Sequence, residues 1–307
     1  MITIVNNSQK LGVSFSLHRC SELDLNKKTL LRATLRDLGF RRLRLMSYWN
    51  IHEPRPGKYN FKELDWQMDM VAFYGAKVSL CLGKRQPRWP ECHIPNWAAD
   101  LPKDEWYEAL FAYIETVVER YKDHPALESW QLENEALLKK FGYCVDRDFS
   151  HVRLKKELEI VKKADPNHPV IMTLSDSWGF PFRKPTPDIF ASSLYRITLN
   201  KFGDYSYTMR PAAFYRHRAH LISLFKRTPF FIHELQAEPW LPKDILSTPV
   251  DEQMQFMNAE LLEENVRYAL KSKLYPIDLW GLEWWYWLKV KHGDSSMWDT
   301  AQKLLKN

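Results

Sequence analysis

The chain has 307 residues, 45% apolar, 27% charged and 14% aromatic, enough for one large core or two modest ones. Its 44 Lys and Arg against 38 Asp and Glu leave a net charge of +6, spread along the sequence. No basic block is interleaved with aromatics, which argues against nucleic acid as a partner. No charged start leads into an apolar h-region and no run approaches a membrane span, so the chain as given reads as soluble and cytoplasmic by default, or secreted if a signal segment was removed.

LGVSFSL, from Leu11 to Leu17, predicts a first strand, followed by a helix near Asn26 to Leu38. RLRLMSYW, from Arg42 to Trp49, predicts the second strand, with Leu43 and Leu45 on one face and Arg42 and Arg44 on the other. A helix near Phe61 to Tyr74 precedes a third strand, Ala76 to Leu82. Trp106, Leu110, Ile114, Val117, Val118 and Tyr121 then recur at three- and four-residue steps, the signature of one buried helical stripe. Ala126 to Glu135 (ALESWQLENE) predicts strand four, and Arg153 to Lys163 a helix ended by Asp165-Pro166. Pro169 to Leu174 predicts strand five; the proline-rich SDSWGFPFRKPTP after it reads as an irregular connection. Strand six is expected at Ile189 to Tyr195, its helix at Ala212 to Lys226, and strand seven at Pro229 to Glu234. A helix at Asp251 to Leu270, strand eight at Ile277 to Trp285 and a last helix at Ser295 to Lys306 complete the pattern.

Eight strands alternating with helices predict a parallel α/β fold. Eight units in this length fit a closed (β/α)8 TIM barrel, taken as a single domain over residues 1–307. The glycine-rich turn that a dinucleotide-binding sheet needs after its first strand is missing. The 4 cysteines, Cys20, Cys81, Cys92 and Cys144, have no CxxC spacing, which argues against a zinc knuckle or a thioredoxin-type motif. Free thiols are the expectation, with Cys92 and Cys144 the pair a barrel could make neighbours.

In such a barrel the C-terminal strand ends point into a common cleft and supply the catalytic groups. Those ends carry Trp49, Lys84, Asn134, Glu135, Tyr195, Glu234, Trp284 and Trp285. Two carboxylates across a cleft are what glycosidic cleavage asks for: one holds a proton for the departing oxygen, the other stabilises or attacks the anomeric carbon. Arg44, facing the interior by parity, is suited to pair with an acid, Glu234 or Glu133. Glu133 shares a face with Glu135 and reads as a structural partner of Arg42 or Arg44, and as the rival for the acid role. Glu283 reads equally as a contact to a substrate hydroxyl or as a structural ion pair. Tryptophans at strand ends and in the following loops, Trp240 among them, could stack on sugar faces; Trp284 or Trp285 is expected nearest the reacting sugar. No residue pattern implies a metal or an organic cofactor.

WQLENE, with Asn134-Glu135 ending strand four, and the glutamate of FFIHELQAEPW ending strand seven resemble the catalytic motifs of the clan A glycoside hydrolases. SYWNIHEPRPGKYNFKELD resembles the strand-two loop of the family 42 and family 35 β-galactosidases, and PRWPECHIPNW their strand-three loop; family 5 is a further relative. The resemblance implies that Glu135 is the acid/base, Glu234 the nucleophile and Asn134 the ligand of the sugar 2-hydroxyl. It matches Arg44, Tyr195 and Trp284 or Trp285 to the clan's strand-two arginine, strand-six tyrosine and strand-eight tryptophan. The function it implies is retaining hydrolysis of a β-linked galactoside, glucoside, mannoside or related β-glycan, in an oligo- or polysaccharide, through a glycosyl-enzyme. Two alternatives stay open: a transglycosylase with the same site, and an inactive carbohydrate-binding barrel. The sequence leaves the oligomeric state open.

Overall fold

Short apolar runs rich in Leu, Val and Ile form strands here because both faces of each are covered, as parallel sheets require. The computed structural model describes residues 7–88, 90–136, 138, 149–175, 180–181, 185–199 and 205–306. The strands are β1 (Leu11–Ser14), β2 (Arg42–Met46), β3 (Lys77–Leu82), β4 (Leu127–Leu132), β5 (Val170–Leu174), β6 (Ile189–Leu194), β7 (Phe230–Gln236) and β8 (Ile277–Trp280). They form a closed barrel in the order β1-β8-β7-β6-β5-β4-β3-β2, so sequence neighbours are sheet neighbours throughout. The fold is the (β/α)8 barrel expected from the sequence. An antiparallel ribbon of Ile197–Leu199 with Tyr205–Tyr207 is an addition that no sequence signal announced.

The chain divides into two compact units: residues 1–43, 192–225 and 230–307 in the first, residues 44–191 and 226–229 in the second. In the first, β1 and β7 both pair in parallel with β8. Gly12 stands opposite Asp278 in this register. A Cβ at Gly12 would lie 2.0 Å from Asp278 Oδ1 and 3.1 Å from both the Arg42 side chain and its carbonyl oxygen. Asp278 is held there by Arg42 Nε at 3.1 Å and by His233 Nδ1, so Arg42 finds its acid in β8. The glycine is the space that this buried polar cluster occupies.

In the second unit β4 pairs in parallel with β3 and β5. The helix Lys103–Tyr121 buries Trp106, Leu110, Ile114, Val117, Val118 and Tyr121, the stripe read from the sequence. Asp104 and Glu105 in its first turn and Arg120 in its last suit the helix dipole. Asp165, just past the helix His151–Ala164, accepts from Trp130 Nε1 at 2.8 Å and from the backbone N–H of Asn167 at 2.9 Å. That ties the end of the helix to β4.

Strand ends differ from expectation where candidate site residues lie. β1 stops at Ser14 because Ser16 caps a helix, Leu17–Glu22, accepting from Arg19 N–H at 3.2 Å. β2 stops at Met46, and Trp49 opens a short helix, Trp49–His52. β4 stops at Leu132, after which Glu133 and Glu135 take positive φ. β7 continues to Gln236, two residues past Glu234. β8 stops at Trp280, and Gly281, at φ +147°, turns the chain into the helix Leu282–Lys291. A Cβ at Gly281 would fall 2.5 Å from the carbonyl oxygen of Ala237, so only glycine makes this turn. Most of SDSWGFPFRKPTP lies outside the described residues, as do Trp89 and Cys144. Cys20 and Cys81 are buried free thiols, but Cys92 is disulfide-bonded, against the expectation of a free thiol. Pairing depends on Cβ positions that spacing alone does not reveal.

Candidate active site

Each unit carries one of the two candidate carboxylates. In the second unit, Arg44 on β2 is fully buried. Its Nε donates to Gln131 Oε1 at 2.7 Å and its Nη2 to Asn134 Oδ1 at 2.8 Å. Asn134 Oδ1 also receives Gln131 Nε2 at 3.3 Å and the Thr173 hydroxyl at 3.4 Å. These donors fix which way the amide faces. Its Nδ2 makes no hydrogen bond among the described residues, so the donor end of Asn134 is available beside Glu135. Glu135 is half-buried, and its backbone N–H donates to Thr173 Oγ1 at 2.8 Å.

Glu133, the residue weighed against Glu135, sits differently. It is fully buried and paired with Arg153 of the helix His151–Ala164, through Nη1–Oε1 at 2.9 Å and Nη2–Oε2 at 3.1 Å. Its structural partner is therefore Arg153, 20 residues along the chain, rather than Arg42 or Arg44. Arg153 also bonds Glu157, whose carboxyl burial pushes up to about 8 against the pull of the guanidinium. Gly83, at φ +92°, makes room for Glu133, since a Cβ there would sit 2.7 Å from Glu133 Cγ.

In the first unit, Glu234 is the partly exposed residue in the stretch Phe231–Gln236, whose other members are buried. Tyr195, just past β6, donates its hydroxyl to Glu234 Oε1 at 2.6 Å. The Tyr195 ring meets Trp240 edge-on, with centroids 5.3 Å apart at 77°, and both rings are half-buried. Carboxylate, phenol and indole thus form one partly exposed group at the C-terminal ends of β6 and β7. A carboxylate in a set hydrogen bond beside partly exposed aromatic rings suits a sugar ring, with polar edges and an apolar face.

Three expected placements need correction. Trp49 is fully buried, not a strand-end platform: its Nε1 donates to Glu53 Oε2 at 2.6 Å and its ring stacks on Tyr113 at 5.8 Å and 24°. Trp284 and Trp285 lie on the helix after β8 and are fully buried, because the strand turns at Gly281 before reaching them. Their Nε1 groups donate to Gln253 Oε1 and to the Ala237 carbonyl, both at 2.7 Å. The tryptophan that ends β8 is Trp280. Glu283, expected at the end of strand eight, is buried on the same helix and accepts the Ser16 backbone N–H at 2.6 Å. Lys84 lies buried over the Trp106 ring at 4.9 Å, and Arg85 is bonded to Glu91 and the Leu138 carbonyl.

Sequence reasoning missed Gln131 and Thr173. Their signal was slight: each is a single polar residue just before the last leucine of its strand, in LESWQL and VIMTL. Among the described residues no group of three or more His, Cys, Asp or Glu could hold a metal ion. No helix among them is long and apolar enough to cross a membrane.

No family model matches the chain. Mannan endo-1,4-β-mannosidase F of Aspergillus fumigatus is 26% identical over 167 residues, covering 48% of this chain and 37% of that protein. β-Galactosidase Bga of Halorubrum lacusprofundi is 26% identical over 121 residues, 34% of this chain and 17% of that protein. The chain resembles clan A glycoside hydrolases. It spans well under half the length of both relatives. Among solved structures, the GH5_18 protein of Streptomyces cattleya in complex with GlcNAc superposes with a TM-score of 0.62 at 16% identity, over 90% of this chain and 71% of that one. At that identity the likeness is one of fold.

Proposed function

We propose that this chain is the barrel of a retaining β-glycoside hydrolase in which Glu135 is the acid/base and Glu234 the nucleophile. The observation that carries the reading is the amide of Asn134: Arg44, Gln131 and Thr173 occupy its oxygen, leaving Nδ2 to donate next to a half-buried Glu135. A fixed amide donor beside a carboxyl group is suited to a sugar hydroxyl neighbouring the bond that breaks. The Tyr195–Glu234 bond supports the second role by holding the carboxylate in one orientation for attack.

In the first step a Glu234 oxygen bonds to the anomeric carbon as the glycosidic C–O bond breaks, and Glu135 gives its proton to the leaving oxygen. In the second, Glu135 takes a proton from water as the water oxygen displaces Glu234. Two inversions return the original configuration. The names of the relatives make β-galactosides and β-mannosides the first substrates to try.

The test is turnover of aryl β-galactosides and β-mannosides by the wild type, Glu135→Gln and Glu234→Gln, together with trapping by an activated deoxyfluoro sugar and mass analysis of the labelled peptide. Each variant is expected to lose at least about 100-fold on substrates with poor leaving groups, and the label to sit on Glu234. Wild-type turnover by both variants, or a label elsewhere, overturns the assignment. Glycosyl transfer to an added acceptor sugar would make the same site a transglycosylase.

A further inference from the structure

The turn that presents Glu135 is strained at both ends, with φ of +48° at Glu133 and +45° at Glu135. A non-glycine residue in this region is strained and persists only where its surroundings over-determine it. At Glu133 the restraint is visible, since Arg153 grips both carboxylate oxygens. At Glu135 the backbone N–H is held by the Thr173 hydroxyl at 2.8 Å. The same hydroxyl faces Asn134 Oδ1 at 3.4 Å. Its single proton goes to that oxygen, which leaves a lone pair to accept from Glu135.

Thr173 is buried, near the end of an otherwise apolar strand, VIMTL. Valine would fill nearly the same volume and suit a buried strand at least as well, so packing alone does not call for the hydroxyl. Without it, the Glu135 N–H loses this acceptor and Asn134 Oδ1 one of its donors. Both changes fall on the turn that orients the acid and its neighbouring amide.

We infer that Thr173 is a positioning residue for the acid/base group: one hydroxyl on β5 sets the backbone of Glu135 and helps set the amide of Asn134. The inference rests on Glu135 being the acid/base. A general acid matters most when the leaving group is poor, so misplacing it steepens the dependence of rate on leaving group.

The experiment measures kcat/KM for Thr173→Val, Thr173→Ser and Glu135→Gln across aryl β-glycosides from phenyl to dinitrophenyl, with a thermal melt of each variant. Thr173→Val is expected to lose about 10–100-fold on the phenyl glycoside and under about 3-fold on the dinitrophenyl one. Thr173→Ser, which keeps the hydroxyl, should retain the wild-type slope. An equal loss across the series, no loss at all, or a Ser variant as steep as the Val variant overturns the positioning role. If Thr173→Val does not fold, Thr173→Cys, a small side chain that hydrogen-bonds poorly, must show the steepened slope instead. Glu135→Gln separates the two claims. A steep Gln variant beside a flat Val variant sinks only the role of Thr173, whereas a Gln variant no steeper than wild type sinks the acid assignment itself.

Discussion

The hydroxyl of Tyr195 lies 2.6 Å from Glu234 Oε1, donating to the one partly exposed side chain of the stretch Phe231–Gln236. A hydrogen bond to a charged acceptor contributes about 1.5–3 kcal/mol, and this one holds the carboxylate that is proposed to attack. Tyr195→Phe should therefore lower kcat/KM on an aryl β-glycoside by roughly 10–100-fold and slow deoxyfluoro-sugar labelling of Glu234 to match. The melting temperature should move by no more than a few degrees, because Tyr195 is half-buried and the ring remains. An unchanged labelling rate would separate Tyr195 from the nucleophile.

The tryptophans divide by exposure. Trp240 is half-buried beside Tyr195, and an indole face there is worth about 0.5–1.5 kcal/mol of stacking beyond its area. Trp240→Ala should raise KM several-fold with little loss of stability. Trp285 is fully buried with its Nε1 on the Ala237 carbonyl. Trp285→Phe should cost about 1–3 kcal/mol in a denaturant titration while leaving KM in place. The reverse pattern would return Trp285 to the substrate.

This division shows how far the sequence could be read. Strand order and the helical stripe from Trp106 to Tyr121 were legible because burial imposes a period on the residues themselves. The place of Arg44 on the strand face opposite Leu43 and Leu45, where it bonds Gln131 and Asn134, followed from alternation along the strand. Trp49, Trp284 and Trp285 were misplaced for one shared reason: large apolar residues recur within a few positions on both sides of the strand end, so composition hides where the backbone turns. Gly281 was the available mark, set by its close approach to Ala237. The pairing of Glu133 with Arg153 and the role of Thr173 depend on contacts across elements, which no local pattern records.

Gly12 gives a stability test away from the candidate carboxylates. Its missing Cβ is the space taken by Asp278 Oδ1, which is in turn locked by Arg42 and His233. An alanine must push a fully buried carboxylate off two partners, and overpacking typically costs about 1–3 kcal/mol before any hydrogen bond is lost. Gly12→Ala should lower the unfolding free energy by at least that much, seen as a lower denaturant midpoint with the m-value unchanged. A variant of wild-type stability would mean that this polar cluster shifts freely.

His52 sets an acid limit on stability. The ring is fully buried against Phe61, with Nδ1 on the Asn60 carbonyl at 3.2 Å and Nε2 lacking a partner among the described residues. Burial lowers its pKa from 6.5 to about 4, against the pull of that carbonyl and of Asp65 and Glu63. The unfolded chain therefore binds this proton more tightly than the folded one, so the contribution of His52 is complete above about pH 6.5 and is lost as pH falls toward 4. That shift corresponds to about 3 kcal/mol on the linkage scale. In His52→Asn the amide can still donate to the Asn60 carbonyl but carries no titrating group. Its unfolding free energy should fall less steeply than wild type between pH 6.5 and 4 in urea titrations at matched ionic strength, and parallel slopes would place the acid sensitivity elsewhere.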